Sequence, residues 1–346
     1  MLSMNSVVLR GNFSNNLKNN RLRYGNFSRV TAMAVHKTSS ARFSIDTLNI
    51  TSSNKGAFDI IAHTRTNVRV AKIPMAQNVP IDITGRLKFG ESTSTSNVLG
   101  IENFKIATAK IPINLNGDIL FSADSIYTTN LTANIEEFPF RDFLRYIPKK
   151  VFPDIEKVKT SAKLSVESKF NGSYNLKTGS LPNIDIKVNI PNSNIKIDGS
   201  KLGIKDMAAQ LNFYCRPNTP DSNRLEIKKL LLDGDGIMLK CSGYAKNITD
   251  DPYLNLKLSS FVSLDTLRNF LPNSTGITAN GVIDANINIE GKRSQLNLYN
   301  LKNTNITGEL NANNVLVQMP SEKINCTLLG TKCVISSQKS GIEITL

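Results

Sequence analysis

Along most of the chain, apolar and polar residues alternate with a period of two. The alternation is clearest in residues 111–115, 184–190, 254–258 and 283–289. Successive side chains of a β-strand point to opposite faces of the sheet, so this pattern predicts strands with one apolar and one polar face. Few segments are apolar at consecutive positions, which argues against a parallel sheet covered by helices. We therefore predict a mostly β fold built as an antiparallel meander.

Clusters of Asn, Gly, Ser and Asp separate many of the alternating segments. Gly and Asn adopt positive φ angles at low cost, so such clusters are typical of turns. Turns are predicted at residues 114–118, 171–173, 192–194, 233–236 and 311–314. With about 13 residues for a strand and its turn, the chain would form roughly 25 strands.

The chain contains an internal repeat. Residues 138–148 align without gaps on 262–272, and 111–117 match 237–243. Each copy has one short helix-like segment, 140–146 or 264–270, which is followed by a proline that prevents its continuation. Ser263 is placed to cap the second helix. Two turns of helix are unstable alone, so we expect both to pack against the concave face or the end of the sheet.

The repeat gives a domain organisation. We predict basic leading strands in 1–45, strand-rich repeats in 46–150 and 151–274 that each end in a short helix, and the start of an incomplete third repeat in 275–346. Units that recur in this way usually stack so that each contacts its neighbours.

Composition narrows the classes of function. The 346 residues are 40% hydrophobic and 20% charged, which allows a folded protein rather than a disordered tail. No stretch approaches the ~18 consecutive apolar residues of a transmembrane helix. The first 20 residues lack the pattern of a secretory signal. We expect any export signal or membrane anchor to lie outside this chain.

The net charge of +14 is unevenly distributed, because residues 1–45 contain seven Lys or Arg and no acid. Each such residue near an anionic lipid surface contributes about 1 kcal/mol of attraction. Solvated strand faces explain the same excess equally well. No basic-aromatic stacking platform or zinc finger accompanies the charge, so nucleic acid is not an expected partner.

The chain has few residues suited to metal binding or catalysis. It has four Cys, no C-x-x-C pair and two His, His36 and His63, in strand-like segments. Structural zinc usually takes four closely spaced Cys or His ligands. The acidic pairs Asp233/Asp235 and Asp250/Asp251 fall in turn-like contexts where Asp is common. We expect no catalytic residue, metal or cofactor, and a β-helix polysaccharide-active enzyme with acidic pairs across a groove stays an alternative.

The repeats and their two helical segments resemble the AsmA-like family of bacterial envelope proteins, related in fold to bridge-like lipid-transfer proteins. The likeness rests on residues 141–148 and 265–272, the latter a helical segment ending in Phe-Leu-Pro, and on the strand that ends at Gly291. It covers roughly residues 40–330. The resemblance implies an elongated, curved antiparallel sheet, called a repeating β-groove, with short helices at the repeat boundaries. Such proteins usually carry an N-terminal membrane anchor, so this chain is expected to be a fragment that lacks it.

The resemblance also implies a function. A β-groove protein of this kind binds and transports lipid without catalysis, shielding phospholipid acyl chains during outer-membrane or envelope biogenesis. Its expected partners are phospholipid or another acyl lipid, membrane surfaces at the ends of the groove, and envelope proteins. The expected location is the periplasm or cell envelope, with membrane association through a segment outside this chain.

The predicted lipid contacts are apolar residues of the alternating faces, where each CH₂ withdrawn from water is worth ~0.8 kcal/mol. They are Ile111, Ile113, Leu115, Leu131, Ile135, Val166, Phe170, Ile186, Val188, Ile190, Leu239, Leu254, Leu256, Leu258, Ile283, Ile287 and Ile289.

The alternative is a structural or adhesive β-sandwich repeat protein at the cell surface, for which the same composition and the same turn residues are expected. The two alternatives differ in what the apolar face contacts. A sandwich packs two apolar faces together, whereas a groove leaves one face open to lipid. The exposure of the apolar face therefore discriminates between them.

Overall fold

The computed structural model describes residues 6–18, 21–36, 39–54, 56–70, 73–90, 96–108, 111–122, 126–144, 155–175, 181–198, 203–248, 251–268, 278–296, 304–319, 324–338 and 341–345. These residues form antiparallel strands with two short α-helices, so the mostly β prediction is confirmed.

The elements of the first half of the chain are β1 (Ser6–Lys18), β2 (Arg21–His36), β3 (Ser39–Asn54), β4 (Ala57–Val70), β5 (Ile73–Phe89), β6 (Ser96–Thr108), β7 (Ile111–Ser122), β8 (Ile126–Pro139), α1 (Phe140–Leu144), β9 (Val158–Thr160) and β10 (Lys163–Asn175). Those of the second half are β11 (Asn183–Ile197), β12 (Gly203–Cys215), β13 (Arg224–Gly234), β14 (Ile237–Lys246), β15 (Tyr253–Ser263), α2 (Leu264–Arg268), β16 (Thr278–Lys292), β17 (Asn305–Met319), β18 (Ile324–Gln338) and β19 (Gly341–Thr345).

The first compact unit comprises Met1–Glu156 and Leu164–Ile186. Each of its strands from β1 to β8 pairs antiparallel with the next strand in sequence. β1, β2 and the start of β3 fall in the predicted basic leading segment. The side chains before residue 42 lie outside the described part of the chain.

The second compact unit comprises Lys157–Lys163 and Lys187–Leu346. β9 pairs antiparallel with β11, and each strand from β12 to β19 pairs antiparallel with its sequence neighbour. Both units are therefore meanders, in which most long-range contacts join consecutive strands.

Four of the five predicted turns lie inside continuous strands. Residues 114–118 fall within β7, 171–173 within β10, 192–194 within β11 and 311–314 within β17, and only 233–236 join two strands. At Gly117 (φ 132°) and Asn314 (φ 51°), positive φ angles occur next to register shifts between paired strands. The register shifts are β-bulges, which kink a strand without ending it. The extra residue lies in β17 at Asn314 and, beside Gly117, in β6 opposite Asn116. The strands are consequently longer than expected, and the described residues form 19 of them instead of roughly 25.

The internal repeat is visible in the structure. α1 and α2 are each five residues long and begin at the aligned positions Phe140 and Leu264. β6 is shifted in register against β7 after Ile101, and β13 is shifted against β14 after Ile227. The ends of the predicted helices and the prolines that follow them lie outside the described residues, and the predicted repeat boundaries stay predictions.

α2 lies where several strands begin or end. Its first turn is capped by Ser263, whose Oγ accepts a hydrogen bond from the Thr266 N–H at 3.3 Å, as predicted. The Asp265 carboxylate accepts from the Gly281 N–H at 2.9 Å, near the start of β16. A Cβ at Gly236 would collide with Thr266, so the helix also packs against the β13–β14 turn. These contacts stabilise a helix too short to form alone.

Candidate functional site: the apolar sheet faces

In the second unit, the strand register aligns apolar residues in three rows, two of which cross seven strands from β12 to β18 and one of which crosses six. Cross-strand partners lie on the same face of a sheet, so the rows form one continuous surface. The central row comprises Ala209, Leu230, Cys241, Leu258, Ile287, Gly308 and Ile335. The row on one side comprises Leu211, Ile227, Gly243, Leu256, Ile289 and Ile306. The row on the other side comprises Met207, Leu232, Leu239, Ser260, Ala285, Leu310 and Cys333.

The opposite face of the same strands is mainly polar. One row there comprises Lys240, Ser259, Asn286 and Glu309, with Leu231 and Val334 at its two ends. Another comprises Ser242, Lys257, Asn288 and Thr307. The period-two pattern of the sequence is therefore realised as one apolar face and one polar face.

The first unit has an apolar face of the same kind. One of its rows comprises Ala62, Ile83, Ile106, Ile113 and Ile135. A second comprises Phe58, Leu87, Ile101, Gly117 and Leu131. Phe104, Leu115 and Ala133 lie between these rows on β6, β7 and β8.

These apolar faces are only partly withdrawn from solvent. Every predicted lipid-contact residue is half-buried except Ile111, which is 7% exposed. No large side chain among the described residues is less than 2% exposed, although Leu, Ile and Val are usually fully buried in a closed core. The large side chains of the apolar rows thus lack the complete burial that is typical of a core packed between two sheets.

The structure brings most of the predicted contact residues together within each unit. Leu239, Leu254, Leu256, Leu258, Ile283, Ile287 and Ile289 share the apolar face of the second unit. Ile111, Ile113, Leu115, Leu131 and Ile135 share that of the first. Val166 and Phe170 lie half-buried in β10, as do Ile186, Val188 and Ile190 in β11.

The alternation pattern did not predict the apolar residues of β12 and β13 as contacts, among them Met207, Leu211, Ile227 and Leu232. In β13 the alternation is interrupted by the bulge at Lys228 and Lys229 and then by three consecutive leucines. A pattern search that allowed one such interruption would have found Ile227 and Leu232 on the same face.

Two of the acidic residues singled out in the sequence, Asp235 and Asp251, are engaged in local contacts. Asp235 pairs with Lys205 at 2.7 Å, and the hydrogen bond from this lysine lowers the pKa of the carboxyl group. Asp251 accepts hydrogen bonds from the Ser294 hydroxyl and N–H, which lower its pKa. Asp250 lies outside the described residues. His63 Nδ1 lies 2.7 Å from Asp82 Oδ1 at an exposed position, and the side chain of His36 is not among those described.

The four cysteines are free thiols in the structure. Cys241 is buried in the central apolar row, and burial raises the pKa of its thiol. Cys326 is exposed on β18, seven residues before Cys333 on the same strand.

Comparisons with known proteins identify no relative. No protein-family model, curated protein or solved structure matches this chain significantly. The resemblance to the AsmA-like family therefore stays a prediction from the sequence pattern. Of the helices in the described part of the chain, none has the length and apolar character needed to cross a membrane.

Proposed function

We propose that this chain is a non-enzymatic lipid-binding protein whose apolar sheet faces hold acyl chains. The observation that carries the proposal is the continuous apolar surface of β12 to β18, in whose three rows every large aliphatic side chain is half-buried rather than fully buried. Large contiguous apolar patches are uncommon on soluble monomers unless they bind something. Acyl chains fit such a surface because they are apolar, extended and flexible enough to follow its contour.

The dimensions of the surface suit a phospholipid. Seven strands spaced ~4.8 Å apart cover about 29 Å, close to the ~30 Å hydrocarbon core of a bilayer. That core contains the acyl chains of two leaflets, so the surface is long enough for the chains of one lipid. Each CH₂ withdrawn from water contributes ~0.8 kcal/mol. The headgroup would stay in solvent on the uncovered side.

The resemblance to AsmA-like proteins supports a role in lipid transport during outer-membrane or envelope biogenesis. In this proposal the chain works in the periplasm or cell envelope, and its partners are phospholipids, membrane surfaces and envelope proteins. A structural or adhesive β-sandwich repeat would bury its apolar rows between two sheets, and the half-buried state of the large side chains in these rows supports the lipid-binding alternative.

The test is lipid extraction and mass spectrometry of the protein purified in mild detergent. We expect about one or more phospholipids per chain on the parent protein. The double variant L115D/L256D places one carboxylate on the apolar face of each unit. Burying that charge against acyl chains is strongly unfavourable, so the double variant is expected to retain less than a tenth of the lipid.

Matched controls introduce the same charge on the polar face. Asn116 is next to Leu115, exposed, and accepts a hydrogen bond from the Asn103 N–H through its Oδ1, which Asp can also accept. Asn313 is exposed on the polar face of β17. The N116D/N313D variant should keep its lipid. A parent protein without bound phospholipid would refute the proposal and favour a protein or glycan partner. Equal amounts of phospholipid on L115D/L256D and N116D/N313D would do the same.

A further inference from the structure

The polar face of the second unit contains a hollow of about 420 Å³ that extends over β13, β14, β15 and β16. Four lysines line it: Lys228, Lys229, Lys240 and Lys257. Its other polar side chains are Ser and Asn, and it contains no carboxylate.

The residues around the hollow show which face it occupies. Leu230, Cys241, Leu258 and Ile287 of the central apolar row contribute to it, but the apolar rows on either side of them do not. By contrast, both polar rows that flank the central row contribute. The hollow therefore lies between two rows of polar side chains, and the backbone of the central row forms its floor.

The β-bulge in β13 concentrates positive charge at this place. Lys228 and Lys229 are both exposed between the paired positions Ile227 and Leu230, so two lysines stand opposite Ser242 where a regular strand would place one. Lys257 of β15 pairs with Ser242 of β14 across the strands, and Lys240 is two residues before Ser242 on β14. Among the described residues, these four lysines make one side-chain hydrogen bond, from Lys229 Nζ to Asn192 Oδ1 at 3.5 Å, and no ion pair.

Carboxylates elsewhere on this face are engaged with other groups. Glu309 pairs with Lys332 at 3.1 Å. Glu226 accepts from the Asn212 amide at 3.0 Å and lies 3.6 Å from an Arg224 guanidinium nitrogen. On the same face of β16, Asp284 accepts from the Asn311 amide at 2.9 Å and Glu290 accepts from the Tyr253 hydroxyl at 2.5 Å.

No carboxylate lines the hollow itself, so its four lysines give it a positive local charge, which attracts anions most strongly at low ionic strength.

We propose that this hollow binds a phosphate-bearing anion. Four ammonium groups and the hydroxyls of Ser242 and Ser259 are hydrogen-bond donors suited to the oxygens of phosphate. The site faces away from the apolar surface, so it does not depend on the proposed lipid-binding function. The phosphate could belong to a small soluble molecule or to the headgroup of a lipid in a nearby membrane.

The test measures binding of two probes by the full chain at low salt. Inorganic pyrophosphate is titrated by calorimetry, and vesicles of 70% phosphatidylcholine and 30% phosphatidylglycerol are used in flotation. The K240Q/K257Q variant removes two charges from the hollow. The matched control, K105Q/K169Q, removes two exposed lysine charges from β6 and β10. Both variants have the same net charge.

We expect saturable binding of at least one probe, weakened tenfold or more in K240Q/K257Q and less than twofold in the control. K240R/K257R, which keeps the charge, should bind within threefold of the parent. Pyrophosphate binding would identify a soluble phosphate compound as the ligand class, and vesicle binding alone would identify a headgroup. Absence of binding to both probes, or equal weakening in K240Q/K257Q and the control, would overturn the site.

Discussion

At the scale of single residues, two glycines allow the paired strands of the repeat to approach each other. Gly117 and Gly243 occupy aligned positions with φ angles of 132° and 135°. A Cβ at either residue would collide with the carbonyl oxygen of the neighbouring strand, at Asn130 or Asn255. Glycine is the only residue that adopts this backbone conformation without strain.

Replacement of Gly117 or Gly243 by Ala should therefore destabilise the protein by about 1–3 kcal/mol, because both the backbone and the neighbouring carbonyl must shift. Thermal melts followed by circular dichroism would show this as a lower midpoint. Gly330 on β18 is the matched control, since a Cβ there has no atom within 4 Å. Its replacement by Ala should change stability by less than about 0.5 kcal/mol. Similar midpoints for all three variants would contradict the steric argument.

At the scale of elements, the Ser263 cap determines whether the short helix α2 forms. Ser263 Oγ accepts from the Thr266 N–H, and the helix that follows it has only five residues. Ser263→Ala should cost about 1 kcal/mol, the usual contribution of an N-cap. Amide hydrogen exchange should then speed up in α2 and at the start of β16. Ser263→Thr keeps a capping hydroxyl and should exchange like the parent, and fast exchange in both variants would assign the effect to packing instead.

The sequence predicted the strands, the two helices and this cap, because each depends on local patterns. It did not predict the lengths of the strands, since Gly117 and Asn314 carry the same residue types at a bulge as at a turn. Nor could it give the strand register that places Cys241, Leu258 and Ile287 in one row across three strands, because strand pairing depends on contacts between residues distant in sequence. The candidate site was therefore predicted where the alternation is regular and missed around Lys228 and Lys229, where a bulge interrupts it.

At the scale of the whole molecule, stability should be distributed locally. Within each unit, most long-range contacts join strands that are consecutive in the chain, and no large side chain among the described residues is less than 2% exposed. Chains built this way behave approximately as a sum of neighbouring interfaces. A local defect should therefore spread over a few strands and leave distant strands unaffected.

Hydrogen exchange of the two glycine variants tests this prediction, because they place the same strain at aligned positions of the repeat. Gly243→Ala should speed up exchange in β13 to β15 and leave β3 to β5 at parent rates. Gly117→Ala should speed up exchange in β6 to β8 and leave β16 to β18 unchanged, so each variant is the control for the other. We expect exchange near each substitution to speed up by about 5-fold to 150-fold, because local opening there becomes less costly by the 1–3 kcal/mol of strain. A uniform increase across all strands in either variant would instead show that the sheet opens as one cooperative unit.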